Sequence, residues 1–109
     1  MISWEDFEKI DIRVGTILEA KEFPKAKKPA YQLKIDFGSA GNKNSSAQIT
    51  KFYDPASLKG RQVIAVVNFP PKNIAGFLSE CLELGIYDEN NDVVLLEPGM
   101  KGPDGSKIG

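Results

Sequence analysis

The side chains able to do chemistry are unevenly supplied in this sequence. No histidine occurs among its 109 residues, and there is one cysteine, Cys81. Without an imidazole, a serine or cysteine nucleophile has no ordinary general base at neutral pH, and the common zinc sites lose their ligands. A single cysteine cannot close an internal disulfide, so Cys81 is expected as a small core residue rather than a reactive thiol. No pair of carboxylates flanks a plausible cleft. We therefore expect no catalytic residue, no metal site and no cofactor, which leaves binding chemistry.

Three groups of residues suit binding. Lys21, Lys25, Lys27 and Lys28 crowd a loop bracketed by Pro24 and Pro29. Flexible ammonium groups there can contact phosphates without regard to base sequence, and equally can solvate an ordinary loop. Tyr31, Phe52, Tyr53, Phe69 and Phe77 fall at strand ends or loops in or just after the same basic region. Such rings can stack unpaired bases or hold apolar side chains of an extended polypeptide, and each can also be core. The run "KNSSAQIT" adds Asn44, Ser45, Ser46 and Gln48 as hydrogen-bonding groups.

The stretch "NFPPKNIAGFLSE", Asn68 to Glu80, reads as neither helix nor strand. Pro70 and Pro71 stiffen it, Gly76 permits a positive φ, and Lys72 stands between Phe69 and Phe77. A rigid apolar loop with one cation suits a preformed pocket lined by both rings. The competing reading folds the loop over the end of a barrel with both rings buried.

Charge supports a binding surface in the middle of the chain. Residues 1–20 carry 2 basic and 5 acidic groups, residues 21–72 carry 10 and 3, and residues 73–109 carry 2 and 7, giving −3, +7 and −5 within a net charge of −1. That basic island attracts an anionic polymer or an acidic partner, or simply keeps strand edges soluble. The length and a 41% hydrophobic composition fit one domain over residues 1–109. No apolar run reaches membrane-spanning length and the N-terminus is acidic, so no membrane insertion and a cytoplasmic location are expected.

The elements that must position these groups are short. "SWEDFEKI" has Ser3 as N-cap and Trp4, Phe7 and Ile10 at helical spacing, a helix too short to stand without cover from its own domain or another subunit. "DIRVGTILEAKEF" reads as a strand with a bulge or bend at Gly15, and "YQLKIDFG" alternates, with Tyr31, Leu33, Ile35 and Phe37 on one face. "SSAQIT" is a third strand. Asp54, Pro55 and Gly60 bracket a single helical turn, "RQVIAVVNF" is the most apolar strand, and "SECLELGIYD" pairs with "DVVLLEP" across "ENND". The final ten residues are expected to be loose or held by a partner. Together these predict an all-β, five-stranded OB-fold Greek-key barrel with a short N-terminal helix and a helical turn between strands three and four.

"DIRVGTILEA", "AKKPAYQLKIDFG", "SSAQIT", "VVNFPPKNIAGFLSE" and "VVLLEP" resemble, in order and over nearly the whole chain, the CsaA-type export-related chaperones of the tRNA-binding domain superfamily. That superfamily also includes extensions of methionyl-tRNA synthetases and the cytokine precursor EMAP. The resemblance implies a non-enzymatic homodimer joined through the N-terminal helix, hence Trp4, Phe7 and Ile10, and the C-terminal segment. It implies tRNA or unfolded polypeptide as ligand, with a synthetase or export component as a docking partner in the alternative. Carried over residue by residue, it implies a groove with Ser45, Ser46 and Gln48 on one wall and Asn68, Phe69, Lys72, Phe77, Ser79 and Glu80 on the other. Lys25, Lys27, Lys28 and Tyr31 complete the ligand-binding set. Where many of those domains read "HP.AD.LY", this chain has Phe23, Pro24, Ala26, Lys27 and Tyr31, with no histidine.

Overall fold

The computed structural model describes all residues, 1–109. Its alternating strands bury one face each. In β2 (Tyr31–Asp36) the residues Tyr31, Leu33 and Ile35 turn inward, as the period-two pattern predicts, while Gln32, Lys34 and Asp36 turn outward. β2 pairs antiparallel with β1 (Ile12–Glu22) on one side and β3 (Asn42–Ala47) on the other. β4 (Gln62–Val66) joins the free side of β1. A short strand with the residues Leu82–Glu83 completes a five-stranded sheet. Glu80 N–H donating to the Asn44 carbonyl at 2.8 Å brings the last strand back to β3 and nearly closes the barrel. This is the predicted OB-type barrel.

Ile17, Leu33, Ile35, Phe37, Leu58 and Val63 are fully buried at its centre. Leu58 comes from α2 (Pro55–Leu58), the helical turn between β3 and β4, whose N-cap Asp54 accepts from Ser57 N–H at 2.8 Å. Cys81 is also in the core, where burial and then nearby Glu83 push its thiol well above the usual range.

Two hairpins are appended. β5 (Lys72–Ile74) and β6 (Phe77–Ser79) pair across a two-residue turn, Ala75 at φ 50° and Gly76 at φ 85°. With the Leu82–Glu83 strand counted as β7, β8 (Gly85–Tyr87) and β9 (Val93–Leu95) form the second, as expected. The two hairpins add strands to the five of the predicted barrel, since short hairpins are not separable from loops by alternation alone. The stretch Asn68–Glu80 is thus corrected from irregular loop to hairpin: two positive-φ residues give the mirror-image turn that matches strand twist.

Two further expectations change. Gly15 marks no bulge: a Cβ there would meet Ile35 and the Phe37 ring at 2.7 Å, so the glycine serves close packing. The register break lies later, between Ile17 and Glu19. The C-terminal residues are ordered against their own barrel. Val14 N–H donates to the Ser106 carbonyl at 3.0 Å, and Ile108 N–H to Ile12 at 2.8 Å. The tail thereby satisfies the stretch of β1 that extends beyond β2.

The N-terminal helix α1 (Trp4–Glu8) forms as predicted, with a reciprocal cap between Ser3 and Asp6, but none of its residues is buried. Ile10 lies past its end, so the apolar side consists of Trp4 and Phe7, whose rings meet edge to face at 6.2 Å. No helix of the structure is long and apolar enough to cross a membrane.

Candidate functional site

Glu19, Lys21, Gln32 and Lys34 share the outward face of β1 and β2. A register break makes this face. Ile17 stands opposite Ile35, but Glu19 stands opposite Lys34, so Leu18 is an extra residue. Without it Glu19 and Lys21 would take the inward phase; with it they join the outer surface. Two cross-strand rows result: Lys21, Gln32 and Ser46, and beside it Glu19, Lys34 and Asn44. Neighbours within such a row have Cβ atoms roughly 5 Å apart.

The β5–β6 hairpin forms the wall. Its inward-facing set is Lys72, Ile74, Phe77 and Ser79, by register. Ser79 Oγ accepts from Ser46 N–H at 3.0 Å, and Glu80 Oε1 accepts from Asn44 N–H at 2.9 Å, so both side chains fasten the wall to the edge of β3. Phe77, partly exposed, packs edge-on against buried Phe23 at 5.5 Å between ring centres. Phe77 overlooks two adjoining depressions, one lined by Lys21, Lys25, Pro24, Gln32 and Gly76, the other by Glu19, Lys21, Gln32, Lys34 and Asn44. They form one open, lysine-edged trough.

The predicted site residues therefore separate. Lys25 and Phe77 line the trough, and Lys72 shares the wall's inner face. Lys27 and Lys28 are exposed on the same loop but farther along it. Ser46 borders the trough through its row and also lines a second hollow, with Gln48, Leu82, Tyr87 and Val93. This hollow is mainly apolar and holds no lysine. Phe69 is 54% exposed yet lines neither depression with Phe77, so the expected shared pocket of the two rings does not form.

Besides Ser79 and Glu80, three expected ligand contacts are structural. Tyr31 is only 5% exposed, and its hydroxyl donates to the Tyr53 carbonyl at 2.7 Å. Asn68 accepts from Asp11 N–H at 3.0 Å and donates to the Lys9 carbonyl at 2.8 Å, tying α1 to the end of β4. Ser45 is 1% exposed and faces three acceptors: both Glu83 carboxylate oxygens at 2.5 Å and the Cys81 carbonyl at 3.1 Å. Its one hydroxyl proton cannot serve all three. A protonated Glu83 resolves this by donating to Ser45 Oγ, leaving the serine proton for Cys81. Burial accordingly pushes the Glu83 carboxyl up to about 7, against a partial downward pull from Ser45.

Glu19, Phe23, Gln32 and Lys34 were missed. The signal for Gln32 and Lys34 was present, because alternation put them opposite the core-facing set, on the face an OB barrel offers to ligands. Glu19 depends on the bulge at Leu18, for which no glycine or proline gives notice.

Residues 12–107 match the family model described as "Putative tRNA binding domain". A methionine–tRNA ligase from Porphyromonas gingivalis is 38% identical over 107 residues, 98% of this chain but 15% of the ligase. The chain thus spans a small part of that relative. Among solved structures, the chaperone CsaA from Bacillus anthracis is 56% identical with a TM-score of 0.94, covering 100% of this chain and 99% of that one. The CsaA chaperone protein from Picrophilus torridus is 55% identical with a TM-score of 0.93, over 100% of both chains.

Proposed function

The chain belongs to the tRNA-binding domain family, and from that premise we propose that it is a non-enzymatic binding protein whose lysine-edged trough holds tRNA. The observation that carries this reading is the convergence of Lys21, Lys25 and Lys34 with the partly exposed Phe77 ring. Unpaired bases stack on such a ring while ammonium groups neutralise the flanking phosphates. Lysine–phosphate contacts release counterions, so tRNA affinity should fall steeply as salt rises. A titration that stayed flat with salt would rule out a phosphate-led complex.

A second ligand is favoured by the second hollow. Leu82 and Tyr87, 51% and 74% exposed, stand beside Gln48 in a setting without lysine, which suits an extended polypeptide. A chaperone role, the word in the names of both CsaA structures, fits such a hollow, and we extend it to unfolded preproteins destined for export. Binding there should vary little with salt. A protein-docking module serving a synthetase or export component is the alternative, which co-purification of such a component, with no affinity for free tRNA or peptide, would favour.

We also propose that the protein works as a cytoplasmic homodimer through α1. A helix this short needs external cover, and Trp4 is 77% exposed beside Phe7 and Ile2 in a shallow apolar depression. Replacing Trp4 and Phe7 with aspartate should give monomers in size-exclusion chromatography; a persistent dimer would place the interface elsewhere.

A further inference from the structure

The trough is cationic except for two carboxylates, Glu22 in the first depression and Glu19 in the second, where Glu19 stands with Lys21, Lys34 and Phe77. Glu19 lies opposite Lys34 and two residues from Lys21, yet it forms no ion pair: the three in the protein are Lys9–Asp6, Arg13–Asp11 and Arg61–Glu97. Both its oxygens remain free. Its orientation is built in, because the extra residue at Leu18 turns it from the core phase to the outer face. In a trough that holds phosphates, an unpaired carboxylate is repulsive unless it accepts hydrogen bonds from the ligand.

We propose that Glu19 reads a base, accepting from an unpaired guanine that stacks against Phe77 while Lys21 and Lys34 hold the adjacent phosphates; this rests on the tRNA-binding reading of the same trough. An ionised carboxylate only accepts. Guanine alone offers two adjacent donors, N1–H and N2–H, that match both oxygens at once. Cytosine and adenine each place a single amino donor beside a ring acceptor that the carboxylate repels, and uracil has one N–H between two carbonyls. Those edges are open only in loops and single strands. A strand carries Glu19, so its position is set more firmly than a loop would set it.

The test is fluorescence anisotropy with short oligouridines carrying one central guanosine, inosine, adenosine, cytidine or uridine. We expect guanosine to bind about tenfold more tightly than uridine, with inosine, which lacks the N2 amino group, between them. Glu19→Gln should weaken the guanosine oligomer and strengthen the all-uridine one, since a negative charge leaves the trough. Equal binding of all five by the wild type, or a uniform gain in Glu19→Gln, would overturn the inference and leave Glu19 a merely repelling charge. Salt-dependent tRNA binding without base preference defeats only this inference, whereas no binding of tRNA or any oligomer defeats the underlying reading as well.

Discussion

The trough and the β3–β7 seam contain similar residue types and use them in opposite ways. In the trough, Lys21, Lys34 and Glu19 stand in cross-strand rows without ion-pair partners. In the seam, Ser45, Glu83 and the Cys81 carbonyl are fully engaged with one another, and Ser79 and Glu80 cap the N–H groups of β3 beside them. The difference teaches that polarity near a binding face is no guide to binding. What separates the two regions is whether the hydrogen-bonding capacity of each side chain is already used inside the fold.

The comparison is most sharply broken by lysine substitutions. Changing Lys21, Lys25 and Lys34 together to alanine should lower tRNA affinity by about a hundredfold or more at low salt and flatten the salt slope by roughly three phosphate contacts. Changing Lys27 and Lys28 should do much less, since they lie away from Phe77. Equal losses from the two sets, measured by filter binding across a salt series, would mean that general charge and not the trough governs affinity.

How much of this was legible beforehand follows from the range of the interactions. Alternation in "YQLKIDFG" placed Tyr31, Leu33 and Ile35 correctly in the core. It thereby also excluded Tyr31 as a stacking platform, a conclusion that its nearness to the lysine loop obscured. The caps at Ser3 and Asp54 and the helical turn at Pro55 were readable because a cap is a contact over three residues. The seam was not readable, since Ser45 meets Glu83 across 38 positions. Nor was the docked tail, where Thr16 Oγ1 donates to Asp104 Oδ1 across 88. Ser45 and Ser46 look alike in "SSAQIT"; strand phase alone sends one into the core and the other to the surface.

The seam side of the comparison can be sharpened by pH. Glu83 has its folded value raised to about 7 from 4.5, so its stabilising contribution is complete below pH 4.5 and is lost as pH rises through 7. Over that window the wild type should lose roughly 2–3 kcal/mol relative to Glu83→Gln, whose amide cannot ionise. Urea melts of the two proteins at matched pH values measure the difference directly. A constant difference from pH 4 to 8 would mean that the carboxyl stays in one protonation state and that the hydroxyl of Ser45 is shared in some other way. Binding of tRNA at fixed pH should be nearly the same for both proteins, because Glu83 lines neither depression of the trough.

The smallest expected effect tests where the trough ends. Asn68 was expected on the wall, yet both halves of its amide are used to hold Asp11 and Lys9. Asn68→Ala should therefore cost about 1 kcal/mol of stability, the usual loss for exposed neutral hydrogen bonds, and loosen the start of β1. It should leave tRNA affinity and its salt slope unchanged. If affinity fell instead while the melting curve stayed put, the wall would have to extend past Lys72 to Asn68, and Phe69, exposed next to it, would return as a ligand contact. The internal bonds of Asn68 argue against that outcome, because they hold its amide against Asp11 and Lys9, and turning it toward a ligand would break both of them.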